Sequence, residues 1–514
     1  MRTLTTPVLL SSLLLGGWMT SAVAQQDVNP ETPPALPAGG EAGLQETAIG
    51  VVPQPTPDNP GLVTGITLGE LYTDNVGLAA RGKPSRDSFI TQIEPFIKSG
   101  FRTPRVSGMF DFSLTGYQYA GGPSHHQLAA DLNGQATAVL IPQHLFIDGM
   151  ATYGRQVVNN ALPVASGTYF LDNNQANVAS ASLSPYWVQD LGPVGTMILR
   201  YSHGRVLYND RNVAGDHPGL LSGLPDTASN GVQFSLTSPK FETWGWNLGY
   251  SDQRLDPDFG SSIEFANARV GISRQVSQDL QLLADVGKET KFLPNGTYER
   301  LGSGYWDVGF EWSNTLNSLK LMAGHRFFGH SYDFSWTHVA ALLSTTLSYI
   351  EQPTDLNQQL LAQNPSEILT APPTTSSLIP SLLDRRVYLM KRATASATYT
   401  MPKGSLNLTV YDESRDFLNL GGGHENVANA GVSWLFELGA RTTLTPTLGW
   451  QRYRFTSGQI TYTRTGGIAL AYQLNSKNFG SIRLRNESAS VFEPIPGARG
   501  YRVNVLFVQW THLF

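Results

Sequence analysis

The chain has 514 residues, of which 15% are charged, and its formal net charge is −5. A balance this small gives little attraction for a polyanion, so we predict no nucleic-acid partner. The sequence contains no cysteine, which excludes disulfides and a lipid anchor attached to an N-terminal cysteine.

The N-terminus has the composition of a secretory signal peptide. Arg2 supplies the positive charge, residues 8–15 form an apolar stretch, and residues 22–24 (Ala-Val-Ala) form a small-residue cleavage site. We therefore assign residues 1–24 to the signal and expect the mature chain to begin at Gln25. The rest of the sequence has no stretch of about 18 apolar residues for a membrane-spanning helix, so a membrane form of this chain has to be a β-barrel.

Residues 25–61 form a proline-rich segment with almost no large apolar side chains. Such a segment cannot bury enough apolar surface to fold, so we predict a disordered periplasmic tail. It is also too short and too polar to form a plug domain inside a barrel.

After this tail, the sequence divides into segments of about 9 to 16 residues in which apolar and polar side chains alternate, as in tilted membrane strands. In residues 305–313, Trp306 and Phe310 share one face, while Asp307 and Glu311 share the other. A charged side chain facing lipid at mid-membrane costs about 2 to 4 kcal/mol, so the polar face should line the lumen. A water-soluble β-sandwich would show the same alternation around a dry interior.

The connections between these segments alternate between short turns and longer polar loops, which in outer-membrane barrels are periplasmic and extracellular, respectively. Keeping this alternation requires strands at about 331–340 and 343–351, followed by a long loop over residues 352–385. The predicted fold is therefore an all-β, transmembrane, antiparallel up-and-down barrel over residues 62–514, with about 22 strands and an even number between about 18 and 22. The apolar side chains of the long loop allow it to stay extracellular or to fold inward over the lumen.

A barrel of this size without a plug domain should enclose a wide polar channel. The predicted lining carries both signs of charge and consists of Asp111, Arg269, Asp285, Asp307, Glu311, Arg392, Arg483, Arg485 and Glu487. An interspersed lining of this kind suits a neutral, hydrated polymer, because it offers hydrogen bonds without one deep electrostatic well.

The ten histidines show no spacing with serine or carboxylate residues that would indicate a catalytic or metal site. The sequence also contains neither H-E-x-x-H nor G-x-S-x-G. We therefore predict no catalytic residue, no metal and no cofactor, and we interpret the carboxylates as lumen charges.

The last predicted strand, residues 501–514, ends on Phe514, with Trp510 on the same side-chain parity. This ending is similar to the C-terminal signal of bacterial outer-membrane barrels. We assign Phe514 and Trp510 to that assembly signal, which implies the barrel-assembly machinery as a partner and outer-membrane lipid and lipopolysaccharide as surroundings.

Several different short motifs are spread along the predicted barrel. They lie at 71–76 (LYTDNV), 92–95 (QIEP) before Gly100, Tyr117 and Tyr119, 145–148 (LFID), 328–332 (FGHSY), 348–349 (SY) before Pro353, 391–392 (KR) and 448–452 (LGWQR). Together they resemble the PEP-CTERM system-associated outer-membrane proteins, over most of residues 62–514. These barrels are encoded with exopolysaccharide and exosortase loci, so the resemblance implies the envelope of an exopolysaccharide-producing Gram-negative bacterium and no catalytic residues.

Two functional hypotheses follow. The wide lumen and the resemblance favour a transport or assembly barrel through which, or beside which, an exopolysaccharide leaves the cell. Alternatively, the barrel is an anchor whose loops bind polysaccharide or a sorted surface protein. An outer-membrane enzyme is the least favoured class.

Overall fold

The structure is a computed structural model, and it describes residues 52–120, 126–157, 167–171, 175–209, 225–239, 243–362, 386–418, 422–492 and 500–514. Over these residues, 22 strands form one antiparallel sheet. The strands are β1 (Gly61–Thr73), β2 (Ser88–Arg102), β3 (Val106–Ala120), β4 (His126–Ile141), β5 (Leu145–Val157), β6 (Gln175–Asp190), β7 (Thr196–Asn209), β8 (Thr227–Thr237), β9 (Trp244–Pro257), β10 (Ile263–Gln275), β11 (Leu280–Phe292), β12 (Tyr298–Ser313), β13 (Asn317–Arg326), β14 (Gly329–Val339), β15 (Leu343–Thr354), β16 (Tyr388–Met401), β17 (Gly404–Phe417), β18 (His424–Gly439), β19 (Thr442–Arg454), β20 (Ile460–Gln473), β21 (Asn478–Phe492) and β22 (Arg502–Leu513).

Helical structure in the described part of the chain is limited to a 3₁₀ helix, Gly192–Val194, and one α-helix, α1 (Leu356–Ala362). Among the described residues, no helix is long and apolar enough to cross a membrane.

The sheet closes into a barrel because β1 pairs with β22 as well as with β2. Across this closing seam, Gly65 lies opposite Leu513, and the hydroxyl oxygens of Thr67 and Thr511 are 3.0 Å apart and share a hydrogen bond. Closure gives the backbone groups of the first and last strands partners, which a membrane position requires. The predicted all-β up-and-down barrel and its 22 strands are confirmed.

The connections differ in length between the two ends of the barrel, as predicted. Two-residue turns at 402–403 and 440–441 lie at one end, where β1 begins and β22 ends. Residues 74–87 and 355–387 join strands at the other end. Short turns are periplasmic in barrels of this class, so the second end is extracellular.

The two faces of the wall differ in polarity. On β12, the side chain of Trp306 is 50% exposed, whereas that of Asp307, the next residue, is only 9% exposed. On β22, Val508 faces outward while Phe507 is buried inside. Because successive side chains in a strand point to opposite faces, the outward side chains of these strands are apolar and Asp307 points into the lumen.

The predicted boundary between β15 and the long loop differs from the structure. β15 continues through Thr354 because its last residues pair with β16, Thr354 lying opposite Tyr388. The loop predicted for residues 352–385 therefore begins at residue 355, since cross-strand pairing extends the strand beyond the last clear alternation in its sequence.

The last residues of the predicted tail, which spans residues 25–61, already contact the barrel. β1 begins at Gly61, and Val52 packs against a buried cluster that contains Phe96 at the periplasmic end. Arg102 of β2 forms an ion pair with Asp58, with Nη1 and Oδ1 2.7 Å apart. The rest of the tail and the signal peptide, residues 1–24, lie outside the described residues.

Candidate functional site

Extracellular segments fill the lumen beside β1 to β4. Leu78 of the β1–β2 loop and Tyr169 of the β5–β6 loop are both buried inside the barrel. The hydroxyls of Tyr117 and Thr168 are 2.7 Å apart, and Tyr119 Oη donates to the Tyr169 carbonyl oxygen at 2.6 Å. This part of the lumen is therefore closed by ordered protein rather than open to water.

α1 lies inside the lumen and connects distant parts of the wall. Tyr208 Oη of β7 donates to Asn357 Oδ1 at 2.6 Å, and Gln359 Nε2 donates to Tyr388 Oη of β16 at 2.7 Å. β7 and β16 are nine strands apart in the barrel. A helix bound to both strands crosses the lumen and narrows it.

The apolar face of α1 fixes its position. Leu356 and Leu360 are one helical turn apart, so they share a face, and both pack into a buried cluster with Val206 and Tyr453. Burying each leucine contributes about 1.5 to 3 kcal/mol. Of the two alternatives predicted for the long loop, the inward-folded one holds for α1, whereas residues 363–385 lie outside the described residues.

Asp355 is the N-terminal cap of α1. The backbone N–H of Gln358 donates to Asp355 Oδ1 at 2.7 Å, which gives a partner to one of the free amide groups in the first turn. The Asp355 side chain is fully buried, and this burial raises the pKa of its carboxyl group to about 6. The protonation of this cap therefore changes within a pH range that a bacterium encounters.

Several predicted lumen charges form buried pairs instead of facing an open channel. Arg392 Nε lies 2.7 Å from Glu413 Oε2, and Arg415 binds the same carboxylate, whose side chain is 0% exposed. Asp111 is paired with Lys98, with Oδ2 and Nζ 3.1 Å apart. Charges held in this way depend on each other, because removing one partner would leave the other buried and uncompensated.

A further buried pair lies near the extracellular end of β21. Glu487 binds both Arg485 and the hydroxyl of Tyr501. The guanidinium group of Arg483 lies over the ring of Phe507, 5.8 Å from its centroid. These predicted lining residues point inward, but they belong to the packed side of the barrel.

An open cavity of about 530 Å³ occupies the other side of the lumen, beside β6 to β15. Uncharged hydroxyls and amides are the largest class of its lining side chains. They are Ser182, Ser184, Ser202, Ser229, Gln233, Ser235, Thr237, Asn247, Ser251, Gln253, Asn267, Ser273, Gln281, Thr290, Ser331, Gln352 and Gln358. The cavity therefore offers a long series of neutral hydrogen-bond donors and acceptors.

The charged groups of this cavity are mainly acidic. Seven carboxylates line it: Asp252, Asp285, Glu289, Asp307, Glu311, Asp333 and Glu351. The cations are Arg200, Arg269, Lys320 and Arg326. The structure thus brings Arg269, Asp285, Asp307 and Glu311 of the predicted lining together here, with a surplus of negative charge.

Two of these carboxylates form a like-charge pair. Asp285 and Asp307 lie directly opposite each other on β11 and β12. Asp307 Oδ2 is 3.4 Å from Arg326 Nη2, and Asp307 Oδ1 accepts a hydrogen bond from Ser331 at 3.2 Å. Like charges at directly opposite positions are destabilising, so the neighbouring cation offsets part of the repulsion.

Aromatic rings lie at the extracellular end of the cavity. Phe265 and Phe292 both line it, with ring centroids 5.2 Å apart, and Tyr298 and Phe327 extend the group. Flat aromatic faces beside hydroxyl and amide groups can stack on the apolar faces of sugar rings.

The proposed assembly residues lie on the lipid-facing side. Trp510 is 41% exposed and Phe514 is 70% exposed, and the backbone N–H of Phe514 donates to the Thr64 carbonyl oxygen at 3.0 Å. This contact extends the closing seam between β22 and β1.

In the part of the chain that the structure describes, no group of three or more histidine, aspartate or glutamate side chains is placed to hold a metal.

Sequence reasoning missed two buried elements inside the barrel. Glu413 and Arg415 were not predicted as lining residues, although they alternate on one face of β17. The helical α1 (LNQQLLA) shows leucines one turn apart, which is the signal that could have identified it.

No protein-family model and no curated protein matches the sequence. Among solved structures, the chain is similar to a variant of the ferric enterobactin receptor from Pseudomonas aeruginosa in complex with enterobactin, at 10% identity and a TM-score of 0.45, covering 90% of this chain and 82% of that one. It is also similar to the siderophore receptor PirA from Acinetobacter baumannii, at 7% identity and a TM-score of 0.43, covering 88% and 80%.

The location of the protein follows from its own strand order and outer surface. A closed antiparallel barrel with an apolar outer face and a polar interior gives its strands backbone partners within a membrane. The charged side chains of β12 and β17 that would be costly in lipid point inward. The protein is therefore an outer-membrane β-barrel with a channel-like architecture.

Proposed function

We propose that this barrel is the outer-membrane passage for a neutral or weakly charged exopolysaccharide. The observation that carries the proposal is the series of hydroxyl and amide side chains along β6 to β11. These groups exchange hydrogen bonds with sugar hydroxyls about as well as water does, so a hydrated chain can move past them without being trapped.

The shape of the lumen supports a route along β6 to β15. The packed side, closed by Tyr169 and the buried Arg392 and Glu413, leaves the acidic cavity as the open side. The aromatic faces of Phe265 and Phe292 at the extracellular end suit a sugar chain that emerges there. The surplus of carboxylates disfavours a strongly anionic polymer.

α1 controls the width of this route. Its contacts with Tyr208 and Tyr388 hold it across the lumen, so the resting passage is narrower than the barrel wall alone would allow. A polymer whose cross-section needs the full width of the lumen would require α1 to move.

The experiment is a current recording with the purified, full-length mature protein in a planar bilayer. Neutral maltodextrins added on one side should enter and reduce the ion current, whereas dextran sulfate fragments of equal size should have a weaker effect. Replacing Phe265 and Phe292 together by serine should shorten the blocking events by several-fold. Equal block by both polymers would contradict the proposal.

A surface-binding barrel is the second candidate. The rigid closure of one side by Leu78 and Tyr169 favours it, because ordered loops make a better binding surface than mobile ones. If maltodextrins leave the current unchanged while cells that lack the protein lose polysaccharide attachment, the surface-binding role replaces the transport role.

A further inference from the structure

An arginine cluster lies on the outer face of the barrel wall, near the extracellular ends of β19, β20 and β22. Its members are Arg452, Arg454, Arg464 and Arg502. Their strand parity is outward, because the neighbours of opposite parity, such as Tyr453 and Val503, are buried inside. Three of the four arginines are exposed, and Arg452 is half-buried. The arginine cluster therefore faces the surroundings of the barrel and not the lumen.

The strand register brings two of these arginines to the same place. Arg464 and Arg502 both lie directly opposite Ser488 of β21, one on each side. Their Cα atoms are therefore two strand spacings apart, or roughly 10 Å. The small serine between two long side chains leaves room above the wall, so both guanidinium groups can reach one ligand there.

Carboxylates of the protein do not neutralise this charge. In the described part of the chain, the guanidinium groups of the arginines other than Arg452 make no ion pair and no hydrogen bond. Two carboxylates lie at the margins of the arginine cluster, and amide groups bind both. Asn504 Nδ2 donates to Asp74 Oδ2 at 2.6 Å, and Asn426 Nδ2 donates to Asp412 Oδ1 at 3.1 Å. Like charges grouped in this way attract an external anion.

Other outward arginines at this end of the barrel have partners. Arg254 of β9 pairs with Asp256, with Nε and Oδ1 2.7 Å apart. Arg205 of β7 pairs with Asp258, with Nη2 and Oδ2 3.8 Å apart. The arginine cluster differs from these positions because its charge stays available to a ligand.

The arginine cluster lies at the level of the outer lipid head groups. Tyr472 and Trp510 are exposed aromatic residues at the periplasmic end, and nine residues of β20 and of β22 lead from them to the cluster. A tilted strand crosses the membrane in about 9 to 11 residues. Trp450 and Tyr462, with ring centroids 6.4 Å apart, lie beside the arginines as the aromatic border expected at that level.

An apolar row lies below the arginines on the same face. Ile468, Leu484 and Leu506 are directly opposite one another on β20, β21 and β22, and all three are exposed. On β20 and β22 the row is four residues from the arginines, or roughly 13 Å along a strand. A ligand with a charged head and acyl chains can contact both features, whereas a soluble anion can use only the arginines.

We infer that the arginine cluster binds the phosphate groups of lipid A, the phosphorylated glycolipid part of lipopolysaccharide, in the outer leaflet. Arginine binds phosphate through two parallel N–H···O bonds, which are stronger than bonds between neutral groups. The acyl chains lie against the apolar row. This site goes beyond the proposed polysaccharide passage and lies on the opposite face of the wall, so neither depends on the other.

The spread of the arginine cluster selects this lipid. The four arginines extend across β19 to β22, which is three strand spacings or roughly 14 Å. Lipid A carries its two phosphates at opposite ends of a disaccharide, so each phosphate can bind a different part of the cluster. Cardiolipin carries its two phosphates on one glycerol, too close together to span it. The hydroxyls of Ser488 and Ser490 lie between the arginines, where they can bind the sugar.

The test measures lipid binding to the purified, full-length mature protein in a neutral detergent by native mass spectrometry. Lipid A with two phosphates should bind about tenfold more tightly than the same lipid A without phosphate. Cardiolipin should bind more weakly than lipid A, and inorganic phosphate in millimolar excess should not displace lipid A. Equal binding of the phosphate-free lipid would overturn the site, and equal binding of cardiolipin would overturn lipopolysaccharide as its ligand. Displacement by inorganic phosphate would show a site for soluble anions instead.

Two double variants locate the binding. Arg464→Gln combined with Arg502→Gln should weaken the binding of lipid A by about tenfold. Arg205→Gln combined with Arg254→Gln is the matched control, because it removes two outward arginines that already have carboxylate partners, and it should leave binding unchanged. Equal weakening by both would mean that lipid A responds only to net charge, against the proposal. The comparison of lipids on the unmodified protein decides the matter if a variant fails to fold, and polysaccharide block of the ion current can fail or succeed separately.

Discussion

Glu413 is a fully buried carboxylate that binds two guanidinium groups, those of Arg392 and Arg415. Glu413→Gln keeps the size of the side chain but leaves both arginines without a counter-charge inside the wall. We expect a loss of about 3 to 5 kcal/mol in the free energy of unfolding, measured by urea titration in lipid vesicles. The matched control is Glu437→Gln, an exposed position at the periplasmic end of β18, with an expected change below about 0.5 kcal/mol. A loss for Glu413→Gln as small as that for the control would show that the Glu413 charge is dispensable.

At the scale of a strand, β12 tests the assignment of faces. Phe310 shares the strand parity of Trp306, which is 50% exposed on the outer face, whereas Glu311 lines the cavity. Phe310→Arg should cost about 2 to 4 kcal/mol if the site is near the middle of the membrane, and Glu311→Arg should cost clearly less, because its side chain stays in the wet lumen. Urea titration of both variants in vesicles measures the difference, and equal costs would reverse the assigned faces.

At the scale of a helix, α1 should respond to pH through its cap. Burial raises the pKa of Asp355 in the docked helix to about 6, above the ordinary value of 3.8, so protonation favours docking. The contribution of this group to docking is complete below about pH 4 and is lost as the pH rises through about 6. We therefore expect more frequent and longer openings in planar-bilayer recordings at pH 7.5 than at pH 5.

Asp355→Asn is the control for this effect, because asparagine also caps helices and does not titrate. Tyr208, which bonds to Asn357 beside the cap, stays neutral over this pH range. The variant should therefore show the same opening frequency at both pH values. A pH response that persists unchanged in Asp355→Asn would assign it to another group.

The strands could be predicted from sequence because each carries its own signal, the alternation of side chains between two solvents. Cross-strand partners could not, since Arg392 and Glu413 become neighbours only through the register of β16 and β17. α1 was not identified as a helix because seven residues are too few to be stable alone, and its stability comes from distant contacts with Tyr208 and Tyr388. Local patterns thus predicted the wall, while the contents of the lumen depended on long-range packing.

At the scale of the whole molecule, the charges are divided between two sides of the lumen. Those on the packed side, such as Arg392 and Glu413, neutralise each other in buried pairs, whereas the open cavity keeps seven carboxylates against four cations. An aqueous path with surplus negative charge concentrates cations and repels anions. A lining of both signs was predicted from the sequence, and the cavity carries both signs with a surplus of carboxylates.

The open barrel should therefore conduct potassium in preference to chloride, which a reversal potential across a salt gradient measures. Combining Asp285→Asn with Asp307→Asn should move the permeability ratio toward one, because both charges face the cavity. The same double variant removes a like-charge pair that costs up to about 1 kcal/mol and also the ion pair of Asp307 with Arg326, so its stability should change little. Glu437→Gln, outside the cavity, should leave the ratio unchanged. Preference for chloride in the unmodified protein would mean that ions avoid the cavity beside β6 to β15 and cross the barrel elsewhere.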